Sequence, residues 1–340
     1  MTLPSGIPAP AQAHVHGEAV PALNGSVGAQ ALRGGSRLVG DGHGDRLGKG
    51  VRGGDGEGVR LQGDGPLCDG APANFAGRVR QGFGRGAASY EAHARLQQGV
   101  AWRLARFCRD LPLPSGLSAD LGAGSGLLSR ALLAQRPSLP RPPQQLDLCP
   151  ELLARNPLAG PACSPWDLNR GLPPQLQDAG LLLSSFSLQW LEDPAGQLGH
   201  WASRLAPGGW LAVAVPVAGS FDTWQRAARA AAVPCTALPL PDAEVLIEAA
   251  IRAGLQLRQQ RQLRFTRPAL DGHATLRLLR RLGATASRES PLAAGQLRRL
   301  LAHWPCAPLR WEVLALVAQR PGAAGDHQHG LPPAGAGLAC

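Results

Sequence analysis

The sequence predicts an α/β fold, in which helices cover both faces of a parallel, doubly wound sheet. Short apolar runs at 181–184 and 210–215 indicate strands that are buried on both faces. Segments in which apolar residues recur at helical spacing, such as 243–253, separate these runs. A glycine-rich turn follows the first predicted strand, at 117–121. Such alternating sheets bind ligands at the carboxyl ends of their strands.

The segment 74–110 is predicted to be largely helical. Leu96, Val100 and Leu104 recur at helical spacing and form an apolar stripe. Pro112 follows the stripe, and a proline cannot continue a helix. We therefore expect this helical segment to end before the first strand.

The remaining predicted elements alternate between strands and helices. Further strands are predicted at 146–148, 181–184, 210–215, 255–265 and 311–317. Helices are predicted at 127–135, 196–205, 243–253, 277–282 and 291–303. The approach to the second strand is unusually polar and proline-rich for a buried sheet.

Composition sets the limits of the folded domain. Residues 1–74 contain 18 glycines and no Phe, Trp or Tyr, so they cannot bury enough apolar surface to offset chain entropy. Residues 321–340 have the same character. We therefore expect a disordered extension and a disordered tail on either side of one domain at 75–320.

The sequence contains no signal for export or for a membrane. Its first 74 residues lack the basic and apolar regions of a secretory signal. No apolar run approaches the length of about 18 residues that spans a bilayer. The seven cysteines are scattered without a Cys-x-x-Cys pair, which argues against a zinc site or a disulfide framework. These observations predict a cytoplasmic protein with no metal and no membrane partner.

The net charge of +10 is concentrated in one segment. Residues 252–320 carry 13 basic and three acidic side chains. Such a block suits an acidic partner, either a phosphate backbone or an acidic protein. All but one of the basic residues in the chain are arginine, so a general arginine-rich composition explains the charge equally well.

The motif DLGAGSG, which begins at Asp120, carries the strongest chemical signal. Gly122, Gly124 and Gly126 allow a tight turn after a strand and the close approach of a ligand. Asp147 follows at the end of the next predicted strand, where a carboxylate suits the hydroxyls of a ribose. These features predict a site for S-adenosylmethionine. A dinucleotide-binding loop would need another glycine where this chain has leucine, and an ordinary glycine-rich turn is the remaining alternative.

Several motifs, in this order and spacing, resemble those of one enzyme family. They are FGRGAASYEAHARLQ from Phe83, then DLGAGSG, LDLCPELL, SSFSLQWLEDP, LAPGG, LRRLGAT and WEVLALV. The sequence is similar over residues 75–320 to the malonyl-acyl-carrier-protein O-methyltransferases of biotin synthesis. DLGAGSG and LAPGG are common to class I methyltransferases, whereas the first motif, the LQW segment and LRRLGAT are more specific. The polar second strand and the short segment at 150–166 depart from the family pattern.

The resemblance implies a fold and a reaction. The fold is a seven-stranded class I methyltransferase sheet with a cap of helices at about 266–305. The reaction is methyl transfer from S-adenosylmethionine to the free carboxylate of malonyl carried on acyl carrier protein, with malonyl-CoA as the other possible carrier. The methyl ester would serve as the primer for pimeloyl and biotin synthesis. No metal and no nucleic acid take part in this reaction.

The candidate donor-binding residues are acidic or small. Beyond the three glycines, Asp120 is expected to hold water or the ammonium group of the donor, or to cap the following turn. Asp147 is assigned to the ribose hydroxyls, with a solvated loop acid as the alternative. Asp167 is a candidate for the adenine amino group, with a helix N-cap as an even alternative. Ser184 and Ser185 are weaker candidates at the same edge.

Three residues are candidates for positioning the substrate. Tyr90, the only tyrosine, is expected to fold over the donor and orient it or the substrate carboxylate, unless it is an ordinary core residue. Gln189 and Trp190 follow the fourth strand of the implied sheet, at the mouth of the site. Trp190 is expected to wall the substrate channel, with an ordinary core tryptophan as the alternative. A carboxylate is already ionised at neutral pH, so no general base is expected.

An arginine is expected to hold the substrate carboxylate or the phosphopantetheine of the carrier. The sequence does not choose among five candidates, which are Arg277, Arg280, Arg281, Arg298 and Arg299. A solvated basic helix face is the alternative for each of them.

Three other functions compete with carboxyl methylation. Another small-molecule methyltransferase, of the trans-aconitate or quinone type, would share the glycine turn. A nucleic-acid-binding protein or RNA methyltransferase would explain the basic segment, although no RNA-binding motif is present. A degenerate fold that binds the donor poorly would explain the polar second strand.

Overall fold

The computed structural model describes residues 74–158, 160 and 162–322. Its centre is one seven-stranded sheet. The strands are β1 Ser118–Leu121, β2 Gln144–Asp147, β3 Cys163–Pro165, β4 Ala179–Ser185, β5 Leu205–Pro216, β6 Gln256–Arg267 and β7 Leu309–Gln319. Their order across the sheet is β3-β2-β1-β4-β5-β7-β6. The predicted seven-stranded α/β sheet is therefore confirmed.

Ten α-helices accompany the sheet within the described residues. They are α1 Phe75–Gly86, α2 Tyr90–His93, α3 Arg95–Cys108, α4 Leu127–Gln135, α5 Pro150–Leu153, α6 Pro194–Ser203, α7 Asp222–Ala230, α8 Ala243–Arg252, α9 Gly272–Leu282 and α10 Ala294–Ala302. Short 3₁₀ helices lie at Leu168–Arg170, Pro174–Leu176 and Leu188–Trp190.

The two faces of the sheet are covered by different helices. On one face, Leu198 and Trp201 of α6 and Leu246 of α8 join a buried cluster with the strands. On the other face, Leu104 of α3 and Leu132 of α4 do the same. The strands contact both clusters because β4 and β5 are almost entirely apolar and buried. This arrangement leaves the carboxyl ends of β1, β2 and β4 at one edge of the sheet, where the glycine turn lies.

The prediction of a wholly parallel sheet was wrong for its last strand. Strands β1 to β5 pair in parallel, but β7 is antiparallel to both of its neighbours, β5 and β6. The connection between β6 and β7 explains the difference. Its helices, α9 and α10, pack mainly against α1, α2 and α7 rather than crossing a face of the sheet. The chain therefore re-enters the sheet beside β6 in the opposite direction.

The sequence-based prediction missed several elements, namely β3, α5, α7 and the short 3₁₀ helices. Strand β3 has only three residues, two of them half-buried and one exposed, so it carries no apolar alternation. Helix α7 lies between β5 and β6, and its Trp224 packs with Leu276 of α9 and with Leu297 and Leu300 of α10. Helices α9 and α10 fall within the expected cap at 266–305, whose limits stay a prediction.

The predicted extension at 1–74 and tail at 321–340 lie outside the described residues, apart from Asn74, Pro321 and Gly322. Within the described part of the chain, none of the helices has the length and apolar character needed to cross a bilayer.

A contact between glycines joins α1 to the end of α9. Gly283 ends α9 with a φ of +73°, a backbone conformation that favours glycine. A Cβ added to Gly86 would lie 2.6 Å from the backbone nitrogen of Gly283, and one added to Gly82 would lie 2.6 Å from its carbonyl oxygen. The hydroxyl of Ser89 also donates to the Arg281 carbonyl at 2.9 Å. The two helices therefore meet backbone to backbone.

This contact predicts that Gly86→Ala destabilises the fold by about 1–3 kcal/mol, since the new methyl group has no space beside Gly283. Chemical denaturation should show a lower midpoint. Gly99→Ala is the control, because a Cβ at Gly99 in α3 has no neighbour within 4 Å and should stabilise the helix by about 0.5–1 kcal/mol. Equal midpoints for the two variants would contradict the close contact.

Candidate active site

The glycine turn after β1 is tied to the neighbouring strand. The backbone N–H groups of Gly122 and Ala123 both donate to the Leu146 carbonyl of β2, at 2.8 and 2.9 Å. Gly122, Gly124 and Gly126 have φ values of +77°, +53° and +82°. Few other residues adopt these angles without strain. The sequence DLGAGSG therefore folds as a turn that only glycines at these positions allow.

The three glycines serve different packing needs. A Cβ at Gly122 would lie 2.2 Å from the side chain of Ser187, and one at Gly126 would lie 2.4 Å from Asn156 Oδ1. At Gly124, by contrast, the nearest atom would be Leu152 Cδ1 at 3.7 Å. A Cβ at Gly124 would therefore make only ordinary contacts, and this glycine is required by its backbone conformation rather than by crowding.

Asp147 ends β2 and faces this turn. Its Oδ2 accepts a hydrogen bond from the Gly124 N–H at 2.8 Å, and its Oδ1 accepts one from the Cys149 N–H at 2.7 Å. Each oxygen keeps a lone pair for a further donor. Burial raises the pKa of Asp147 to about 6, although the bonds from Cys149 and Gly124 oppose the shift. Asp147 is thus a charged acceptor at neutral pH.

Asp120 lies beneath the turn and is almost fully buried. Its Oδ2 accepts hydrogen bonds from Ser129, at 3.1 Å from the backbone N–H and 2.7 Å from the hydroxyl. Burial raises the pKa of Asp120 to about 7, the bonds from Ser129 lower it, and the charge of Asp147 raises it. Within the described residues no donor bonds Asp120 Oδ1, which leaves that oxygen for a cation or a water.

Two adjoining cavities lie at the carboxyl ends of the strands. The first, which we call the inner cleft, is lined by Asp120, Gly122, Gly124, Asp147 and Asp167 among others. The second, the outer chamber, has a volume of about 1340 Å³ and extends beneath α9 and the segment that follows it. Five residues line both spaces, namely Phe83, Tyr90, Gln97, Phe186 and Trp190. These residues form the partition between the inner cleft and the outer chamber.

The partition is largely aromatic. The Phe83 ring centroid lies 5.5 Å from that of Trp190 and 6.3 Å from that of Tyr90, both in edge-to-face geometry. The Phe75 ring also stacks with that of Trp190, at a centroid distance of 6.5 Å. Phe186 has a φ of +57°, a conformation that a bulky side chain rarely adopts and that often marks a functional site. Such a wall is suited to exclude water from the inner cleft.

Tyr90 brings a hydroxyl group to this partition. Burial, and then the charges of Asp147 and Glu91, raise the pKa of Tyr90 above its ordinary value. The hydroxyl therefore stays protonated and can donate a hydrogen bond. The charge of Asp147 acts on Tyr90 because the two residues line the same cleft.

Gln189 and Trp190 lie in the short helix after β4. Gln189 is 5% exposed, and its Nε2 donates to the Phe186 carbonyl at 2.9 Å, which leaves Oε1 without a partner among the described residues. Gln189 lines the outer chamber, whereas Trp190 lines both spaces. The indole Nε1 of Trp190 also has no partner within the part of the chain that the structure describes. Unpaired buried polar atoms of this kind are rare in folded proteins.

The remaining donor-site candidates differ in placement. Asp167 lines the inner cleft, but its Oδ1 also accepts from the backbone and side-chain nitrogens of Asn169, at 3.0 and 2.9 Å. It therefore caps a 3₁₀ helix, and only Oδ2 is left for a ligand. Ser184 is fully buried, donates to the Leu121 carbonyl at 2.8 Å and lines neither space. Its neighbour Ser185 lines the inner cleft.

Of the five candidate arginines, Arg280 lines the outer chamber. The other four, Arg277, Arg281, Arg298 and Arg299, line neither space. Arginines that the sequence analysis did not assign also line the chamber, and they are Arg78, Arg85, Arg95, Arg267 and Arg288.

One signal for some of these missed residues was present in the sequence. Arg85, Arg95 and Gln97 all belong to the motif FGRGAASYEAHARLQ. The described residues hold no group of three or more His, Cys, Asp or Glu side chains placed to bind a metal ion. The expectation of a metal-free reaction stays a prediction.

The residues present fit S-adenosylmethionine, because the glycine turn and Asp147 line the same cleft and both oxygens of Asp147 keep a lone pair for a ligand. A seven-stranded sheet with this turn after its first strand, and a carboxylate ending the next strand, defines a class I S-adenosylmethionine-dependent methyltransferase. The chain is 31% identical over 268 residues to the malonyl-[acyl-carrier protein] O-methyltransferase of Alcanivorax borkumensis, covering 71% of this chain and 86% of that protein. The chain belongs to that family.

Other comparisons cover less or are more distant. The trans-aconitate 2-methyltransferase of Mycobacterium tuberculosis is 34% identical over 109 residues, covering 32% of this chain and 40% of that protein. The solved structure of magnesium protoporphyrin IX methyltransferase from Synechocystis is 14% identical, covers 73% of this chain and 100% of its own, and has a TM-score of 0.47. No family model matches the chain.

The geometry of Asp147 predicts a pH-dependent affinity for S-adenosylhomocysteine, the demethylated donor. Affinity should fall as the pH drops from 8 to 5, because protonation of Asp147 near pH 6 removes an acceptor from the ribose hydroxyls and protonation of Asp120 near pH 7 removes the expected acceptor for the ammonium group. Asp147→Asn should bind about tenfold more weakly at pH 8 and lose less affinity on acidification. Isothermal titration calorimetry measures both effects.

Asp110→Asn is the matched control, because the Asp110 side chain is 81% exposed at the end of α3. It should bind like the wild type at every pH. A variant Asp147→Asn that kept the wild-type affinity and pH profile would remove Asp147 from the donor site.

Proposed function

We propose that this enzyme transfers the methyl group of S-adenosylmethionine to the free carboxylate of a malonyl thioester. Acyl carrier protein is the proposed carrier, with malonyl-CoA as the smaller alternative. The product is a malonyl methyl ester that would serve as the primer for pimeloyl and biotin synthesis in the cytoplasm. The observation that carries the proposal is the outer chamber, a large arginine-lined space that adjoins the donor cleft in a member of this family.

The size of the outer chamber supports an extended substrate. Its volume of about 1340 Å³ exceeds the range of about 300–1,000 Å³ for ordinary small-molecule sites. A malonyl group alone would fill a small part of it, whereas a malonyl group on a pantetheine arm would extend from the partition to the mouth.

The charge of the chamber supports an anionic substrate. Six arginines and one glutamate line it. Within the described residues, the guanidinium groups of four of the arginines form no hydrogen bond or ion pair, and these are Arg85, Arg95, Arg267 and Arg280. Unpaired guanidinium groups suit a carboxylate, a phosphate or an acidic carrier surface.

The chemistry requires positioning rather than proton transfer. S-adenosylmethionine, when bound, supplies an electrophilic methyl group on a positively charged sulfur. The glycine turn, Asp120 and Asp147 would hold the donor in the inner cleft. Tyr90 and Trp190 would orient the substrate carboxylate through their O–H and N–H groups, while the partition keeps water out. Such alignment can lower the barrier by as much as about 7–11 kcal/mol.

Methylation of trans-aconitate has weaker support as the function of this enzyme. The similarity to trans-aconitate 2-methyltransferase covers only 32% of this chain, so it does not extend over the whole domain. A small tricarboxylate also has no need for a chamber of this volume. The absence of a nucleic-acid partner stays an expectation.

The proposal predicts that the purified chain forms a methyl ester on malonyl-acyl carrier protein in the presence of S-adenosylmethionine. Mass spectrometry of the intact carrier measures the product. Acetyl-acyl carrier protein, which has no free carboxylate, is the matched control and should stay unmodified. Methylation of trans-aconitate without methylation of any malonyl thioester would overturn the proposed substrate.

The arginines of α9 provide a second prediction. Arg280→Ala should lower kcat/KM for malonyl-acyl carrier protein by about 5- to 30-fold, because it removes a guanidinium that lines the chamber. Arg277→Ala removes an exposed arginine of the same helix that lines neither space. It should change kcat/KM by less than about twofold. Equal losses in the two variants would indicate a diffuse effect of charge rather than a contact made by Arg280.

A further inference from the structure

A chain of buried polar side chains lies beneath the glycine turn. Its central member is Gln145 of β2, which is fully buried although glutamine is rarely placed inside a sheet. Its outer member is Asn156, which follows α5 and is 2% exposed. Neither residue lines the inner cleft or the outer chamber.

Hydrogen bonds connect Asn156 to the buried carboxylate of Asp120. Asn156 Nδ2 donates to Gln145 Oε1 at 2.9 Å, and Gln145 Nε2 donates to Ser129 Oγ at 2.8 Å. Ser129 Oγ then donates to Asp120 Oδ2 at 2.7 Å. The Leu158 N–H donates to Asn156 Oδ1 at 2.9 Å and begins the series. Every donor therefore points towards the carboxylate.

The direction of the series is fixed by its geometry. Gln145 Nε2 also donates to the Pro143 carbonyl at 2.6 Å, so both of its hydrogens are used and its oxygen must face Asn156. Because Gln145 donates to Ser129 Oγ, the hydroxyl hydrogen of Ser129 is free to point at Asp120. Bonds aligned in one direction polarise one another and strengthen the last bond.

Asn156 also supports the turn directly. Its Oδ1 would lie 2.4 Å from a Cβ at Gly126, so the amide fills the space that a side chain would occupy. Gly126 precedes α4, the helix that carries Ser129. The polar chain therefore contacts the turn at Gly126 and the carboxylate at Asp120.

We propose that Gln145 and Asn156 are positioning residues for the methyl donor, which act through Asp120 and Gly126 without contacting the donor. This inference rests on the proposed role of Asp120 as the acceptor for the donor's ammonium group. Without the chain, Ser129 loses the partner that orients its hydroxyl. Asp120 then faces the repulsive charge of Asp147 with weaker support, and protonation of Asp120 becomes easier.

Binding of S-adenosylhomocysteine to the full chain tests this inference, measured by calorimetry between pH 6 and 8.5. Gln145→Met keeps an unbranched side chain and removes the amide. Asn156→Ala removes the outer member, and it carries the test if Gln145→Met does not fold. Gln144→Met is the matched control, because Gln144 is a half-buried neighbour on β2 whose side chain has no hydrogen bond among the described residues.

We expect Gln145→Met and Asn156→Ala to bind about tenfold more weakly at pH 7 and to lose affinity at a higher pH than the wild type. Gln144→Met should stay within about twofold of the wild type. Wild-type affinity in both test variants, or an equal loss in Gln144→Met, would overturn the inference. So would a loss that is the same at every pH, since that indicates general loosening of the strand.

The test separates this inference from the proposals on which it depends. Asp120→Asn should weaken binding at pH 8, and a wild-type affinity in that variant would reject the role of Asp120 itself. The readout is binding of the demethylated donor, so failure to methylate a malonyl thioester would reject the proposed substrate and leave this result unaffected.

Discussion

The bonds that tie the glycine turn to β2 are the interaction on which the site depends. The Leu146 carbonyl accepts from Gly122 and Ala123, and the next residue, Asp147, accepts from Gly124. One strand therefore holds both the backbone cradle and the carboxylate that faces it. A change in the pairing of β1 with β2 would separate the two, so their relative position is fixed by the sheet before any ligand binds.

The second requirement is a wall that encloses the cleft, and distant parts of the chain supply it. Helix α1 begins the folded domain, whereas α9 lies near its end, and the glycines of the two helices meet directly. Tyr90 of the partition begins α2, which also contacts α9, and Arg280 of α9 lines the chamber. The motifs FGRGAASY and LRRLGAT, which are far apart in sequence, are thus two sides of one contact.

Local patterns predicted the parts of the molecule that are determined locally. The apolar runs of β4 and β5 and the glycine motif predicted the sheet and its turn, and the structure brings Asp147 to that turn. The rest depends on tertiary contacts. Strand β3 is held by pairing with β2 rather than by the character of its own three residues. Helix packing, which the sequence does not reveal, places Arg280 rather than the other candidate arginines at the chamber. Gln145 is polar because its partners, including Asn156, are buried with it.

The crossing of α1 and α9 also bears on how such enzymes diversify. Gly82, Gly86 and Gly283 already lack side chains, so a larger residue at one position cannot be accommodated by a smaller one opposite. Selection must therefore preserve all three together and leave the angle between the helices unchanged. New preferences for the methyl-accepting substrate are then expected to arise from residues beside the crossing, such as Arg85, while the backbone of α1 and α9 at the crossing stays unchanged.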